Sequence, residues 1–376
     1  METILNTTYS AYDYDGIPYP EVLKSLPPFE IAIKAVFYLV IIVFSLFGNT
    51  LIIVIVYRHK RMRTATNFYI VNLAVADLLV TLSCTWVHFV DDITEGWILG
   101  TFFCRVNSFA HVLSLVASVL SLSLIAYDRF FGIVFAMKAH MSEKKAKTSL
   151  IFVWLCSTIV GCPVLVFRKL KSRQWANHLE LWCDDDWPVE ETFDPVTNST
   201  KFDMPLRTAY YTGVSVVLFF VPLVVMTAAY SVIIWTLKTK TAPGEISSGY
   251  YSAQNRARKK VILMLLMILA VFAVCWLPFQ VCLLYLEHRS ARLPIGKWYW
   301  YFEFSARYLA YCNSALNPLI YAGFNDNFKQ GIYSIFGCPK MTPRHVADGK
   351  SYGTYTTTMH VQHMNSGSNG IAVTAV

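Results

Sequence analysis

Cys104-Arg105-Val106-Asn107-Ser108 opens a long apolar run that closes on Ala126-Tyr127-Asp128-Arg129-Phe130-Phe131. As an α-helix at about 1.5 Å per residue, this stretch spans roughly 40 Å, the thickness of a bilayer with its headgroups. A cysteine stands at one end and an Asp-Arg pair at the other. Between them, His111, Ser114, Ser118, Ser121 and Ser123 interrupt the greasy run. A lipid-facing helix gains nothing from such groups, so the stretch reads as a helix surrounded by other helices.

Further segments on either side of Cys104–Phe131 also reach spanning length: Ile31–Tyr57, Asn67–Val90, Lys147–Phe167, Thr208–Trp235, Lys260–Tyr285 and Lys297–Gly323. The chain is 55% hydrophobic and only 15% charged, with a mean hydropathy of +0.43, far from the roughly 25% charge of soluble domains. The expected fold class is an all-α membrane protein, a seven-transmembrane helix bundle with a short amphipathic eighth helix. Residues 1–30 form a polar N-terminal tail with no cleavable leader. The bundle covers 31–323, the eighth helix 324–338, and the Ser/Thr/Gly-rich remainder, 339–376, reads as a disordered cytoplasmic tail.

Lysines and arginines set the expected orientation. Arg58, Lys60, Arg61 and Arg63 crowd the first loop, Lys138, Lys144, Lys145 and Lys147 the third, and Lys238, Lys240, Arg256, Arg258 and Lys259 the fifth. The positive-inside rule makes these loops cytoplasmic and the N-terminus extracellular, although Arg168, Lys169, Lys171 and Arg173 cluster on the outer side. Acceptor sequons at Asn6 and Asn198 then both fall outside. Phe328, Ile332, Ile335 and Phe336 share one face, suiting a helix on the inner leaflet, a contact with membrane lipid. Cys338, just beyond, is a palmitoylation candidate or a plain reduced thiol.

The net charge of +8 is distributed as loop charge beside apolar spans, so no nucleic-acid partner is expected. Nine cysteines form no CxxC pair and no Cys/His cluster with zinc spacing. No inverted repeat relates the two halves, which weighs against a transporter or channel.

Motifs inside the spans choose the family. Gly48-Asn49 lies in the first span, Leu73-Ala74-Val75-Ala76-Asp77 in the second, Asp128-Arg129-Phe130 at the end of the third and Trp154 in the fourth. Pro222 and Tyr230 follow in the fifth, Cys275-Trp276-Leu277-Pro278 in the sixth and Asn317-Pro318-Leu319-Ile320-Tyr321 in the seventh. In this order and spacing they resemble the rhodopsin-like, or class A, family of G-protein-coupled receptors from roughly Phe37 to Cys338. The resemblance implies a receptor and no enzyme, with no cofactor beyond an allosteric sodium ion.

That resemblance assigns roles. Cys104 and Cys183 match an outer disulfide. Asp77, the one candidate metal ligand with charge, would gather Asn49, Ser118, Asn313, Ser314 and Asn317 around sodium, or around water in a plain hydrogen-bond network. Arg129 would pair with Asp128 at rest and swing to Tyr230 and Tyr321 on activation. No acid stands in Arg256-Ala257-Arg258-Lys259-Lys260 to restrain Arg129 a second time, so a leakier resting state is expected. Trp276, Phe272, Val119 and Pro222 match a packed relay, with Pro278 and Pro318 as kinks that let helices pivot.

His111 occupies the position where amine receptors carry aspartate, and Tyr311 the position of the retinal lysine, so neither ligand suits. The long second outer loop, Arg168 to Arg207, carries Asp184, Asp185, Asp186, Glu190, Glu191 and Asp194. This acid either forms a vestibule that attracts a cationic ligand or balances the basic cluster beside it. Tyr12 and Tyr14 are sulfation candidates. The ligand-binding candidates are His88, Asp92, His111, Asp184, Gln280, Glu303, Arg307 and Tyr311. Glu303 and Arg307, four residues apart on one face, serve a ligand or neutralise each other. The likeness is to the neuropeptide branch that takes orexin, neuropeptide FF and tachykinins. Its partners would be an extracellular basic, amidated peptide and a heterotrimeric G protein, with arrestin and receptor kinases acting through the tail hydroxyls. A small-molecule or lipid ligand is the alternative.

Overall fold

The computed structural model describes residues 14, 16–19, 26–135, 141–194, 199–239, 248–289 and 295–336. Two units are distinguished, Met1–Cys338 and Pro339–Val376, and every described element belongs to the first. The helices are α1 (Pro28–Arg58), α2 (Ala65–Ile93), α3 (Gly100–Val134), α4 (Glu143–Phe167), α5 (Pro205–Thr239), α6 (Ser248–His288), α7 (Lys297–Phe324) and α8 (Asp326–Ile335).

Local chemistry sets the ends. Pro28 occupies the first turn of α1, where its missing N–H costs nothing. Thr64 and Ser142 accept backbone N–H groups at the starts of α2 and α4, and Asn325 does so for α8. α6 begins at Ser248, well before the expected Lys260, over a stretch that holds the good helix formers Ala253, Gln254, Arg256 and Ala257. In α5, Pro222 cannot donate back along the helix, and a π-turn at Val216–Phe220 precedes it. A second π-turn, Thr81–Thr85, bends α2 without a proline. There the Thr81 hydroxyl bonds the Asp77 carbonyl at 2.7 Å and loosens the ladder.

By length and composition, α1 to α5 and Lys259–His288 of α6 are apolar enough to cross a membrane. α7 is long enough at 28 residues, but Glu303, Arg307, Asn313 and Asn317 dilute its hydropathy. α3 is the internal helix: 67% of its apolar window is buried, against 22% for α4 and for α5. Phe44 and Phe47 of α1 and Ile151, Phe152 and Ile159 of α4 stay exposed, as lipid-facing residues do. The core packs Leu73, Leu122, Ile125, Leu265, Ile268 and Phe272 between the helices. α1 and α7 come so close that a Cβ on Gly48 would lie 2.5 Å from the Pro318 Cβ.

α8 departs from expectation. Phe328 is buried and Ile332 and Ile335 pack on the core, while Gly331 lies against Ile55. The apolar face is therefore largely spent on the bundle, leaving Phe336 exposed beside Phe47.

The loop between α4 and α5 folds into two antiparallel hairpins, β1 (Arg168–Gln174) with β2 (Leu179–Asp185) and β3 (Glu190–Asp194) with β4 (Ser199–Asp203). Cys104 and Cys183 are disulfide-bonded, tying β2 to the start of α3. The N-terminal segment reaches the turn of the first hairpin: Ala176 donates to the Ile17 carbonyl at 3.0 Å, and Tyr14 packs on Trp175.

Candidate functional site

Where α2, α3 and α7 meet on the side of the Cys104–Cys183 disulfide, a polar-aromatic cluster forms. Arg307 is paired with Glu303 one turn earlier, and its Nη1 lies 3.0 Å from the His88 Nδ1. The other His88 nitrogen meets the Asn107 amide at 3.3 Å. The His88 ring stands 5.5 Å from Tyr311, which stands 5.9 Å from His111. His111 in turn leans on Trp276 and Phe279, at 5.2 and 5.3 Å between ring centres. Asp92 accepts from the Tyr38 hydroxyl at 2.7 Å, drawing α1 into the same corner.

Most of the sequence candidates thus meet in one place. Gln280 is engaged elsewhere, accepting from the Ser215 hydroxyl at 2.8 Å between α5 and α6. Asp184 faces Lys171 at 3.7 Å across the first hairpin. That hairpin corrects the picture of a free acidic vestibule. Its register sets Arg168 against Asp185 and Arg173 against Glu180, ion pairs of 3.1 and 3.6 Å, and just past the strand Asp186 meets Lys169 at 2.6 Å. Burial works against the Arg168 charge, but Asp185, Tyr211 and Asp184 outweigh it and raise the guanidinium pKa. Glu180, Asp184, Asp185 and Asp186 are thus paired within the loop.

Tyr38, Asn107 and Phe279 carried no motif, and only their neighbours across helices bring them into the cluster. The same holds for a second outer group. Arg207 reaches Glu287 at 2.7 Å and Asp185 at 3.7 Å, and Tyr211 donates to Asp185 at 2.9 Å.

Deeper, the Asn317 amide donates to Asp77 at 2.8 Å. Asn49 donates to the carbonyls of Ser45 and Ser314, both at 2.9 Å. Ser118 is buried nearby in sequence register on α3, and the Oδ1 atoms of Asn313 and Asn317 are buried with no bonded partner. Trp276 continues to Phe272 at 6.1 Å, and Phe272 to Phe219 at 5.8 Å. Pro278 lies just above them within α6 and Pro318 within α7.

At the inner end, Arg129 stands 3.6 Å from Asp128 and also donates to the Thr66 hydroxyl, which bonds Asp128 at 3.3 Å. A second restraint on Arg129 therefore exists, supplied by α2 instead of α6. Tyr230 and Tyr321 are buried, and Tyr321 stacks on Phe328 of α8. Lys260 of α6 pairs with Asp326 at 2.9 Å. Asn6, Asn198 and Cys338 lie outside the described residues.

A profile of the family described as 7 transmembrane receptor (rhodopsin family) matches residues 48–321. The chain is 31% identical over 315 residues to the Substance-P receptor of Rattus norvegicus, covering 83% of this chain and 72% of that one. It is 31% identical over 333 residues to the QRFP-like peptide receptor of Branchiostoma floridae, covering 86% and 82%. The Substance-P receptor of Homo sapiens is 29% identical over 312 residues, covering 83% and 72%. The family is one of multi-pass receptors of the plasma membrane and not of enzymes. With a buried carboxylate on α2, an Asp-Arg pair on α3 and a proline within α6 all inside the matched stretch, the chain belongs to the rhodopsin-like family of seven-transmembrane receptors.

Proposed function

We propose that this receptor, its N-terminus outside, binds a basic, amidated neuropeptide and relays binding to a heterotrimeric G protein. The observation that carries this reading is the outer cluster. Its carboxylates, Asp92 and Glu303, are each matched by a donor from the protein itself, Tyr38 and Arg307. A cationic peptide side chain can take the place of the neutral Tyr38 hydroxyl on Asp92 without leaving a charge bare, or share Glu303 with Arg307. The similarity to two receptors named for peptides supports the same class of ligand.

Binding beside His111 and Tyr311 would press on Trp276 and Phe272, and α6 would pivot at Pro278. Arg129 would then leave Asp128 and Thr66 for Tyr230 and Tyr321, opening the inner face to a Gα C-terminus. Asp77, Ser118, Asn313 and Asn317 offer hard oxygen donors, and the unpartnered amide oxygens of Asn313 and Asn317 fit a sodium ion. Sodium there would supply a positive charge to Asp77 and favour the resting packing. Glycans on Asn6 and Asn198, a palmitoyl chain on Cys338, and tail phosphorylation recruiting arrestin complete the reading.

A screen of amidated peptides on transfected cells, read by calcium and cyclic AMP, tests it. A basic peptide should signal, and Glu303→Gln should cost it more potency than it costs an analogue with that base neutralised. No responding peptide, or equal losses, would discredit the reading.

A further inference from the structure

The outer ends of α5 and α6 are joined by a charge network that the receptor motifs do not include. Glu287, at 3% side-chain exposure, accepts from Arg207 at 2.7 Å and from the Thr208 hydroxyl at 3.3 Å. Arg207 also faces Asp185 at 3.7 Å, and Asp185 is held by Arg168 at 3.1 Å and by the Tyr211 hydroxyl at 2.9 Å. Asp185 sits two residues past Cys183, whose disulfide fixes that strand to α3. Glu287 is thus tied through Arg207 to α5 and, through Asp185, to a loop that is covalently anchored.

Leverage gives the network a direction. Glu287 lies roughly 13 Å beyond Pro278 along the helix axis, and Lys260 roughly 27 Å on the other side. Where α6 turns about Pro278 as one lever, its cytoplasmic end moves outward only as Glu287 moves the opposite way, so a fixed Glu287 opposes that motion. The network coexists here with Arg129 held by Asp128 and Thr66. We infer that Arg207 and Asp185 are positioning residues that clamp the outer end of the sixth helix through Glu287 and hold the receptor at rest. This rests on the signalling reading above.

The test is ligand-free nucleotide exchange on a panel of Gα subunits by full-length receptor in nanodiscs, normalised to receptor amount. Arg207→Met with Glu287→Met removes both charges together, because either alone leaves a poorly solvated charge bare. The double variant is expected to exchange roughly three- to tenfold faster than wild type, and a single Arg207→Met no less than half as fast as the double, since one clamp breaks only once. Arg207→Lys, which keeps a cation, should stay near wild type. A double variant at or below the wild-type rate overturns the clamp, whereas loss of a merely structural contact would lower signalling. Glu287→Gln keeps the shape of the side chain and reads the same rise should the double variant fail to reach the membrane; no rise there is equally adverse. Adding Arg129→Ala separates the two readings: exchange that persists in the triple variant condemns the arginine switch and leaves the clamp standing.

Discussion

Arg307 of α7 seats its Nη1 3.0 Å from the Nδ1 of His88 on α2. A guanidinium has no acceptor, so the His88 Nδ1 must present its lone pair and Nε2 must carry the proton. Nε2 then donates to Asn107, whose carbonyl oxygen belongs on the ring side at 3.3 Å, an orientation that also pairs the otherwise unbonded Asn107 Oδ1. Three helices fix one tautomer. Arg307→Lys keeps the partner of Glu303 but loses this fork. Agonist affinity measured by competition binding should fall about tenfold, or 1.4 kcal/mol; unchanged affinity would remove the fork from the binding site.

At the inner face, Arg129→Ala should abolish agonist-stimulated nucleotide exchange and leave peptide binding measurable. Thr66→Val removes one hydrogen bond from Arg129 at constant shape. The loss of about 1 kcal/mol should raise ligand-free exchange by about fivefold. Wild-type basal exchange in this variant would show that Thr66 does not restrain the arginine.

The hairpin charges divide by burial. Asp184 is half-buried and Asp186 exposed, and both pair with lysines at the rim, so replacing both with Asn should change agonist potency less than threefold. Asp185 is buried among Arg168, Arg207 and Tyr211. Asp185→Asn should lower surface expression and the thermal midpoint by several degrees, because Arg168 loses its ion-pair partner and Arg207 one of its two. A potency loss confined to the rim pair would restore the acidic-vestibule idea.

Gly48→Ala inserts a methyl group 2.5 Å from the Pro318 Cβ. Either α1 or α7 must shift, at a cost of about 1–3 kcal/mol, seen as a lower thermal midpoint in detergent. A midpoint equal to wild type would mean the contact between α1 and α7 is looser than this.

Lys260 and Asp326 form an exposed pair linking α6 to α8. Lys260→Gln should raise ligand-free exchange by no more than about fivefold, the ceiling of about 1 kcal/mol for a solvated ion pair.

Local chemistry was legible in the chain. Asp128 and Arg129 are neighbours, and Cys275 to Pro278 lie on one turn, so their meaning needs no knowledge of distant packing. The spans α1 to α6 follow from hydropathy alone. α7 does not: its dilution by Glu303, Arg307, Asn313 and Asn317 is read correctly only beside the motifs. The bend at Thr81–Thr85 was invisible, since a threonine hydroxyl bonds a carbonyl or a neighbour according to what surrounds it. The second restraint on Arg129 was sought as an acid on α6 and is a hydroxyl of α2. Arg207 and Glu287 are separated by 80 positions, and nothing in either flank announces the other. Which bases the acids of the first hairpin face follows from strand register, which residue order alone does not give.

The uneven polarity of α7 bears on how the receptor is made. Emerging last from the ribosome, it is the span least able to partition into lipid alone, since each charged or amide group near its centre opposes entry. Its helpers are already in place by then: His88 for Arg307, Asp77 for Asn317, Gly48 for the passage of Pro318. A newborn chain altered at any of those earlier positions would be retained at the endoplasmic reticulum with its final helix unlodged, and would look inactive for want of delivery to the surface.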